Sequence, residues 1–533
     1  MLHGLRSSGQ SNIANSHINK RLSCYYLVLF FVVIKTGLNL LAIQHFGLQR
    51  DELLYITLGD HLDWGYKEIP PFIAFLARIS TSIFGSAFFA SRIFSTIFCG
   101  LVTWFTGLMV LEFCGKKFAI ALACLCTIVS PAFAASGYLF EPIVFDQFWW
   151  LLSAWLIARY INTQNLKYIY LTGLATGMGM LTKYSMIFFV LALILGLAAT
   201  KQRKIVWSKH FLYAALIALL IFSPNLTWEI THHFPVITQM TELREEQLSA
   251  ITPIEFVIQQ LLINSIALLV WLAGMWFLLF APGLQKFRFM AFAYLFLFVF
   301  LLIMAGKNYY ILGAYPMLFA AGGYAIEKWI GESAPHWRVA ALALLVIPNV
   351  IIFPMALPVF SLKQTIAIYR FESRVMPFLL FETKWDDNKL HPVTQNYGDM
   401  IGWNEMVMKV AWVYNNLSPN QRKHTQIYAD NYGEASSLHL YGKRYHLPDA
   451  ISLNSSFCMW APPKLQADYI IYIDEKGGRN VEKFRADAAS CSKIDEVTDP
   501  LAVEKGTGIF LIAHPKTAFN NIYHRQFEAT QFR

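Results

Sequence analysis

Runs of about twenty apolar residues recur along the first two thirds of this 533-residue chain, and they constrain its fold more than any other feature. An α-helix needs about 20 such residues to cross the roughly 30 Å hydrocarbon core of a bilayer, where its backbone polar groups must bond to each other. Hydrophobic residues make up 56% of the chain and charged residues only 14%, which excludes an ordinary soluble protein. The sequence therefore predicts a polytopic α-helical membrane protein.

The apolar runs predict about eleven transmembrane helices, with boundaries that vary by several residues. The expected spans are 24–45, 87–111, 117–136, 143–160, 167–182, 184–199, 209–223, 257–281, 288–305, 308–326 and 338–358. Basic residues fall in every second connection, for example at Lys20, Arg21, Lys116 and Lys117. Because cytoplasmic loops carry the excess of positive charge, we expect a cytoplasmic N-terminus.

The alternate connections then lie outside. They are 46–86, 137–142, 225–256 and the tail after about residue 360. The formal net charge is +9, and the basic residues of the cytoplasmic loops account for it. Such residues are attracted by anionic lipid headgroups, so we expect membrane lipids rather than nucleic acid as the partner. The first 21 residues are polar, and we expect the apolar run that follows to act as a signal anchor rather than as a cleaved signal peptide.

The tail changes character near residue 376, where charges return and apolar runs shorten. Apolar residues from Trp403 to Leu417 recur at helical spacing and predict an amphipathic helix that begins near Gly402. The other expected elements are strands at 425–429, 469–473 and 508–513, and a helix from Glu434 to Tyr441. Alternation of helix and strand predicts a small soluble α/β domain at 376–533, outside the membrane domain at 1–360.

The seven cysteines divide into two groups. Five lie in or beside predicted spans and are expected to be small packing residues. Cys458 and Cys491 lie in the outside tail, where a disulfide between them and two free thiols are both open alternatives. The sequence contains no Cys or His spacing typical of a zinc site.

A cluster of acidic residues follows the first span in the outside connection 46–86, beside the pair Pro70-Pro71. Its members are Asp51, Glu52, Asp60, Asp63 and Glu68. One interpretation is a solvated segment that lies along the membrane surface. The other is a catalytic site, in which a carboxylate takes a proton from an acceptor hydroxyl while a lipid-borne phosphate leaves. The residues alone leave both interpretations open.

Several further motifs follow in order along the chain. They are Arg50-Asp51-Glu52, Tyr66 to Pro71, Phe140-Glu141-Pro142 with Phe145-Asp146-Gln147, Leu181-Thr182-Lys183, Gly306-Lys307-Asn308-Tyr309-Tyr310 with Tyr315-Pro316, and, in the tail, Gly402-Trp403, Asn431 to Ala435 and Trp460-Ala461-Pro462. This order resembles family 39 glycosyltransferases, the membrane group that includes protein O-mannosyltransferases and lipid A aminoarabinose transferases, and the tail resembles that of a bacterial subgroup. Two features depart from the family pattern: Phe145 precedes Asp146 where many relatives have Thr or Ser, and no Lys or His stands before the prolines.

The resemblance implies a GT-C fold and a sugar-transfer reaction. The donor would be a polyprenyl-phosphate monosaccharide, and the acceptor an extracytoplasmic glycan, lipid or protein. Asp51 resembles the catalytic base, while Asp146 and Glu68 resemble acids that orient the acceptor or stabilise the sugar in the transition state. No cofactor is implied as a requirement, a divalent metal is compatible with the site, and no metal ligand is identified. The implied location is the bacterial inner membrane, with the active face and the tail in the periplasm.

Cations and tyrosines expected near the outer face are candidates for binding the donor phosphate. They are Lys183, Lys307, Arg92, Arg244, Tyr309 and Tyr310. Positioned cations stabilise the charge that develops on a leaving phosphate. The alternatives are that the cations extend to the interface and that the tyrosines anchor the helices there, and both alternatives stay open.

Four of the acidic residues have separate expectations. Asp51 and Glu52 would point about 100° apart on a helix, so we expect only Asp51 to face a shared site and Glu52 to contact a basic neighbour or solvent. Glu141 is expected to be an acid at a helix N-terminus, where the helix dipole favours it. Asp146 lies in an otherwise apolar run, where a mid-span acid costs about 2.5–3.5 kcal/mol, so it is expected to face a polar cavity.

Two other functions are alternatives to the transfer of a single sugar. A transporter or flippase of lipid-linked sugars predicts charges buried in the middle of spans and two related halves, whereas this chain gathers its acids on one face and adds an outside domain. A transferase that ligates whole glycans would use similar chemistry and stays open. In the tail, Trp403, Tyr432 and Glu434 are candidates either for binding an acceptor glycan or for core packing.

Overall fold

The computed structural model describes residues 4–85, 90–246, 252–377, 382–475 and 477–531. The α-helices in these ranges are α1 (Gly4–Ala42), α2 (Arg50–Leu58), α3 (Phe72–Phe84), α4 (Ala90–Glu112), α5 (Lys117–Val129), α6 (Pro131–Tyr138), α7 (Pro142–Thr163), α8 (Lys167–Met180), α9 (Ser185–Ala198), α10 (Arg203–Val206), α11 (Lys209–Thr231), α12 (Pro235–Glu246), α13 (Pro253–Leu262), α14 (Ala267–Phe280), α15 (Phe289–Ile303), α16 (Tyr315–Ile330), α17 (Pro335–Ala356), α18 (Leu362–Val375), α19 (Gln395–Gly398), α20 (Trp403–Asn416), α21 (Pro419–Lys423), α22 (Tyr432–Tyr441), α23 (Glu482–Arg485) and α24 (Thr517–Thr530).

Helical structure occupies every predicted span, although residues 87–89 at the start of the second lie outside the described ranges. Within those ranges, four helices are individually long and apolar enough to cross a membrane: the Arg21–Ala42 part of α1, and α4, α11 and α17. The number rises to six if the bent pairs α5–α6 and α13–α14 each form one span. Most of the other predicted spans are shorter apolar helices or helices preceded by a 3-10 segment.

The two bent pairs meet at their breaks. α5 and α6 are bent by 61° at Ser130, and α13 and α14 by 103° near Asn264. The Ser130 hydroxyl donates to Asn264 Oδ1 at 2.8 Å, and the amide of Ala132 donates to the Ile263 carbonyl at 3.3 Å. Each interruption thus supplies hydrogen-bond partners for the other, as broken helices within a membrane require.

Close helix packing in the membrane domain depends on small residues. A Cβ atom added to Gly322 of α16 would lie 1.9 Å from the Val270 carbonyl oxygen, and one added to Gly274 of α14 would lie 2.1 Å from the Leu318 carbonyl oxygen. Glycine therefore lets α14 and α16 approach at backbone distance, which is how membrane helices gain packing energy.

The predicted outside connection 46–86 contains two helices within its described residues, α2 and α3. Neither was predicted, because neither contains a long apolar run. α2 begins in a capping box: Gln49 Oε1 accepts from the Asp51 amide, and the Glu52 side chain accepts from the Gln49 amide. This box fixes the start of α2 and therefore the directions in which Asp51 and Glu52 project. α3 follows after the Pro70-Pro71 turn.

The C-terminal part contains the predicted α/β fold. Its strands are β1 (Thr425–Ala429), β2 (Ala450–Ile451), β3 (Tyr469–Asp474), β4 (Ala488–Glu496) and β5 (Gly508–Pro515), in the order β2-β1-β3-β5-β4. β1 pairs in parallel with β2 and β3, whereas β5 is antiparallel to β3 and β4. The three predicted strands and the helices α20 and α22 are confirmed. The limits 1–360 and 376–533 for two domains stay a prediction, with α18 between them.

Of the two open alternatives for Cys458 and Cys491, the structure has the two free thiols. Cys458 is buried in a 3-10 helix (Ser455–Met459) whose Ser456 contacts Glu68 of the membrane domain. Cys491 lies on the edge strand β4, which belongs to the opposite end of the sheet from β2. The distance between two thiols depends on the folded sheet, so the residues alone left both alternatives open.

Candidate active site

Glu52 and Arg92 form a buried ion pair beneath the start of α2, and both side chains are fully inaccessible to solvent. Glu52 Oε1 accepts from Arg92 Nε at 2.8 Å and from the Phe140 amide at 2.7 Å, while Oε2 accepts from Arg92 Nη2 at 2.5 Å and from the Gln49 amide. Arg92 Nη2 also donates to the Gly47 carbonyl at 2.7 Å. Glu52 contacts a basic neighbour, as expected, and Arg92 is occupied by structural contacts that disfavour its predicted role at the donor phosphate.

Asp51 projects in another direction from the same turn of α2 and is half-buried. Its Oδ1 atom accepts a 2.6 Å hydrogen bond from the Tyr432 hydroxyl of α22. Among the described residues, Oδ2 has no hydrogen-bond partner. The carboxylate is therefore held on one side and has an oxygen on the other side that can accept a proton.

Glu141 precedes α7 in extended conformation, and its side chain does not cap the helix. Burial raises the pKa of Glu141 well above its ordinary value, the like charges of Asp51 and Glu52 raise it further, and Lys183 opposes them. These effects favour the protonated form of the carboxyl, which can donate a hydrogen bond. Glu141 stands at the N-terminus of α7, as expected, and the charges of Asp51, Glu52 and Lys183 also act on it.

Asp146 lies one turn into α7 and is 7% exposed. Its Oδ2 atom accepts from the Ser185 hydroxyl at 2.7 Å, whereas Oδ1 is buried and has no partner among the described residues. An unsatisfied buried carboxylate oxygen is costly, so a polar group of a ligand is its natural partner.

The ammonium groups of Lys183 and Lys307 lie near the rings of Tyr309 and Tyr310, the two tyrosines in the segment between α15 and α16. Lys183 Nζ lies 5.5 Å from the ring centroid of Tyr309 and 5.2 Å from that of Tyr310, and Lys307 Nζ lies 6.0 Å from that of Tyr309. Burial lowers the pKa of Lys183, opposed by Asp146 and Glu141, and it also lowers the pKa of Lys307, opposed by Asp51 and Asp386. In each of these pKa shifts the charge of another acid or lysine takes part, which indicates that these groups lie near one another. We call them the central cluster: Asp51, Glu141, Asp146, Lys183 and Lys307.

Within the described ranges, Glu68 and Arg244 form no hydrogen bond or ion pair with the members of the central cluster, and Glu68 binds the C-terminal domain instead. Glu68 accepts from the Ser456 amide at 2.6 Å and from the Ser456 hydroxyl, so it joins the Pro-Pro segment to the C-terminal domain. Arg244 is exposed on α12. That helix is tied to the same segment by Lys67, whose Nζ lies 2.8 Å from Glu242. The predicted roles of Glu68 and Arg244 stay predictions, and these contacts favour structural roles.

The C-terminal domain packs on α2 and the segment after it through several contacts. Arg50 forms an ion pair with the buried Glu504, and Asp60 accepts from His439 Nε2 and Lys443 Nζ, each at 3.0 Å. Asp399 is buried near the same interface: burial raises the pKa of Asp399 to about 7, the Arg50 charge opposes that effect, and the Asp51 charge adds to it. Asp399 was missed because no apolar run or motif surrounds it.

The raised pKa of Asp399 predicts a pH dependence of stability. The folded chain holds this proton more tightly than the unfolded chain, so the contribution of Asp399 becomes unfavourable as the pH rises from about 4 to about 7. Asp399→Asn should therefore raise the apparent unfolding temperature more at pH 8 than at pH 5, as measured by intrinsic fluorescence in detergent. Asp468→Asn, at an exposed position, is the control. Equal shifts of the Asp399 variant at both pH values would contradict the prediction.

Within the described residues, no group of three or more His, Cys, Asp or Glu side chains is arranged to hold a metal ion. The expectations that no cofactor is required and that a divalent metal is compatible with the site remain untested. Tyr55 of α2 also belongs to the surroundings of the cluster, because the charges of Asp51, Glu141 and Glu68 act on it. Its position one turn after Asp51 was the only signal in the sequence.

The profile of the family described as dolichyl-phosphate-mannose-protein mannosyltransferase matches residues 68–228. This segment contains Glu141, Asp146 and Lys183 but neither Asp51 nor Lys307. A search of the curated proteins found no match to the chain.

Solved structures match over nearly the whole chain. ArnT from Cupriavidus metallidurans bound to undecaprenyl phosphate is 12% identical with a TM-score of 0.58, and the match covers 93% of this chain and 98% of ArnT. The same protein in the apo state is 13% identical with a TM-score of 0.58, with coverage of 91% and 97%. AglB, an oligosaccharyltransferase from Archaeoglobus fulgidus in complex with an inhibitory peptide and a dolichol-phosphate, is 13% identical with a TM-score of 0.50, with coverage of 86% and 70%.

At these identities the structural matches establish the fold. That fold is the predicted GT-C fold of a multi-pass membrane protein, and the profile match supports the predicted family 39 resemblance over residues 68–228.

Proposed function

We propose that this family 39-like chain transfers one sugar from a polyprenyl-phosphate donor to an extracytoplasmic acceptor at the bacterial inner membrane. The observation that carries this proposal is the central cluster, in which a carboxylate suited to accept a proton lies with two lysines suited to bind phosphate. The names of the similar structures support a lipid-borne donor, since ArnT was solved with undecaprenyl phosphate and AglB with a dolichol-phosphate.

The reaction would be a single displacement with inversion. The acceptor hydroxyl attacks the anomeric carbon, the bond from that carbon to the phosphate oxygen breaks with its electron pair, and the acceptor proton passes to Asp51. The unoccupied Oδ2 of Asp51 supplies the base, while Tyr432 holds Oδ1. An acceptor with an amino group would react in the same way.

The leaving phosphate would bind at Lys183 and Lys307. Their ammonium groups, near the Tyr309 and Tyr310 rings, are partly desolvated, and charge stabilisation is stronger in such surroundings than in water. The tyrosine hydroxyls would donate to phosphate oxygens or their rings would contact the first prenyl units.

The sugar would lie between the base and the phosphate site, against α7. Asp146 Oδ1, which lacks a partner among the described residues, would accept from a sugar hydroxyl or amino group or oppose the positive charge of the oxocarbenium-like transition state. Glu141, whose protonated form is favoured by burial and by its acidic neighbours, would donate to the sugar or to the acceptor.

Neutral replacement of either lysine is expected to weaken donor use. Lys183→Met and Lys307→Met each remove a charge-assisted contact worth about 1.5–3 kcal/mol, so kcat/KM for the donor should fall about 10–100-fold. The measurement is sugar transfer in membrane vesicles at varied concentrations of polyprenyl-phosphate sugar. Lys201→Met, at an exposed turn, is the matched control. Unchanged donor kinetics in both variants would remove the lysines from the phosphate site.

The proposed reaction is tested by comparing glycolipids, polysaccharides and proteins from cells with and without the functional chain by mass spectrometry. Loss of a single sugar residue from one acceptor class is the expected result. Loss of a whole glycan would indicate a ligating transferase instead. Movement of lipid-linked sugar across vesicles without any acceptor would indicate a flippase.

A further inference from the structure

The contact between α2 and α22 joins residues that are 381 positions apart in the chain. Tyr432 is the first residue of α22, and its hydroxyl donates to Asp51 Oδ1 at 2.6 Å. Beside it, the ion pair between Arg50 and Glu504 binds the first turn of α2 to the same domain. Two successive residues of α2 are therefore held by the C-terminal domain.

We propose that Tyr432 is a positioning residue for the reaction, which holds the Asp51 carboxylate so that Oδ2 faces the acceptor. This inference rests on the proposed function, in which Asp51 is the base. It assigns to the C-terminal domain a direct part in the catalytic centre, through a residue that the sequence suggested only for glycan binding or packing.

The first reason is that Tyr432 is itself held firmly. Asn431 caps α22: its Oδ1 accepts from the Glu434 amide at 2.9 Å, and its amide donates to Glu434 Oε2 at 3.2 Å. The Tyr432 amide donates to Asn454 Oδ1 at 3.2 Å. A hydroxyl on such an anchor fixes the rotation of the Asp51 carboxylate, and positional errors of about 1 Å cost on the order of 10²-fold in rate.

The second reason is that α22 packs closely against the Arg50 side chain at this point. A Cβ atom added to Gly433 would lie 2.8 Å from Cγ of Arg50 and 3.0 Å from the Trp403 ring. The absence of a side chain at Gly433 thus lets α22 approach the Arg50 side chain of α2. Burial, with the Asp51 charge, also keeps the Tyr432 hydroxyl protonated, because it raises the pKa of Tyr432 well above its ordinary value. The tyrosine therefore acts as donor, and the carboxylate accepts.

The alternative is that Tyr432 only joins the two domains. The two roles predict different measurements. A residue that only joins the domains affects the amount and stability of folded protein. A positioning residue affects kcat of the folded protein and leaves donor KM unchanged. Tyr523 offers a matched comparison, because it is buried in the same domain and its hydroxyl donates to the Pro462 carbonyl at 2.7 Å.

The test uses Tyr432→Phe, Tyr523→Phe and Asp51→Asn in the full-length chain, with kcat, donor KM and the apparent unfolding temperature measured on the same preparations. We expect Tyr432→Phe to lower kcat about 10–100-fold with donor KM within twofold of wild type, and with an unfolding temperature no lower than that of Tyr523→Phe. Tyr523→Phe should keep wild-type kcat.

A wild-type kcat in Tyr432→Phe, or a loss of kcat that Tyr523→Phe shows equally, would overturn the positioning role. Asp51→Asn separates this failure from failure of the proposed function. If Asp51→Asn is inactive and Tyr432→Phe is fully active, only the positioning role is wrong. If Asp51→Asn keeps full activity, Asp51 is not the base and the proposed mechanism itself is wrong.

Discussion

Asp51→Asn is expected to lower kcat for sugar transfer by about 10²–10⁴-fold, which is the usual contribution of a general base. The amide keeps the size of the side chain, and its oxygen can still accept the hydrogen bond from Tyr432. What it loses is the ability to take a proton at Oδ2. Donor KM should change little, because the proposed phosphate site contains Lys183 and Lys307 rather than Asp51. The measurement is the initial rate with labelled polyprenyl-phosphate sugar in membrane vesicles.

Asp63→Asn is the matched control for this prediction. Asp63 lies in the same segment, is exposed, and uses Oδ1 to accept from the Trp64 amide at 2.7 Å, a bond that asparagine can also accept. Its activity should be close to wild type. If Asp51→Asn and Asp63→Asn transferred sugar equally well, the base would have to be sought elsewhere, with Glu141 as the next carboxyl in the central cluster.

Arg92→Met is expected to be the most destabilising single change considered for the membrane domain. It leaves the fully buried Glu52 without its charged partner, and removing one member of a buried ion pair typically costs about 3–5 kcal/mol. Glu52 also accepts hydrogen bonds from the amides of Phe140 and Gln49. A displaced Glu52 side chain would therefore disturb the segments that precede α2 and α7. We expect a large fall in folded yield and in the apparent unfolding temperature in detergent.

Two further variants identify the cause. Adding Glu52→Gln to Arg92→Met should recover part of the lost stability, because the unpaired charge is then gone. Glu332→Gln breaks the exposed pair of Lys116 and Glu332, whose side chains are 70% and 71% exposed, and should cost only about 0–1 kcal/mol. Arg92→Met as mild as Glu332→Gln would show that water or a rearrangement compensates the buried charge.

The membrane helices and the strands of the C-terminal sheet were predictable because each depends on a local pattern. Long apolar runs locate the helices, and the runs at 425–429, 469–473 and 508–513 coincide with β1, β3 and β5. β4 was missed because an edge strand needs few apolar residues, and most of its residues are exposed or half-buried. The bends at Ser130 and Asn264 were missed because they are stabilised by each other rather than by their own segments.

The candidate site was predictable in part for the same reason. Asp51, Asp146, Lys183 and Lys307 each stand in a motif or interrupt an apolar run, and the structure brings all four into the central cluster. Arg92 was a candidate for the same reasons, yet it forms an ion pair with Glu52. The residues alone do not indicate which acid a buried cation contacts. Tyr432 and Asp399 lie hundreds of residues from Asp51, and only the folded chain shows that they belong beside it.

The hydrogen bond between Asp51 and Tyr432 has a consequence for biogenesis. Its two partners leave the ribosome far apart in time, and all the helices from α3 to α21 are synthesised between them. Insertion of the first helices therefore places the proposed base in its membrane domain long before its tyrosine partner exists. The proposed centre reaches its final geometry only after the distal part of the chain has folded onto α2, so a nascent chain carries the lysines and acids without the completed centre.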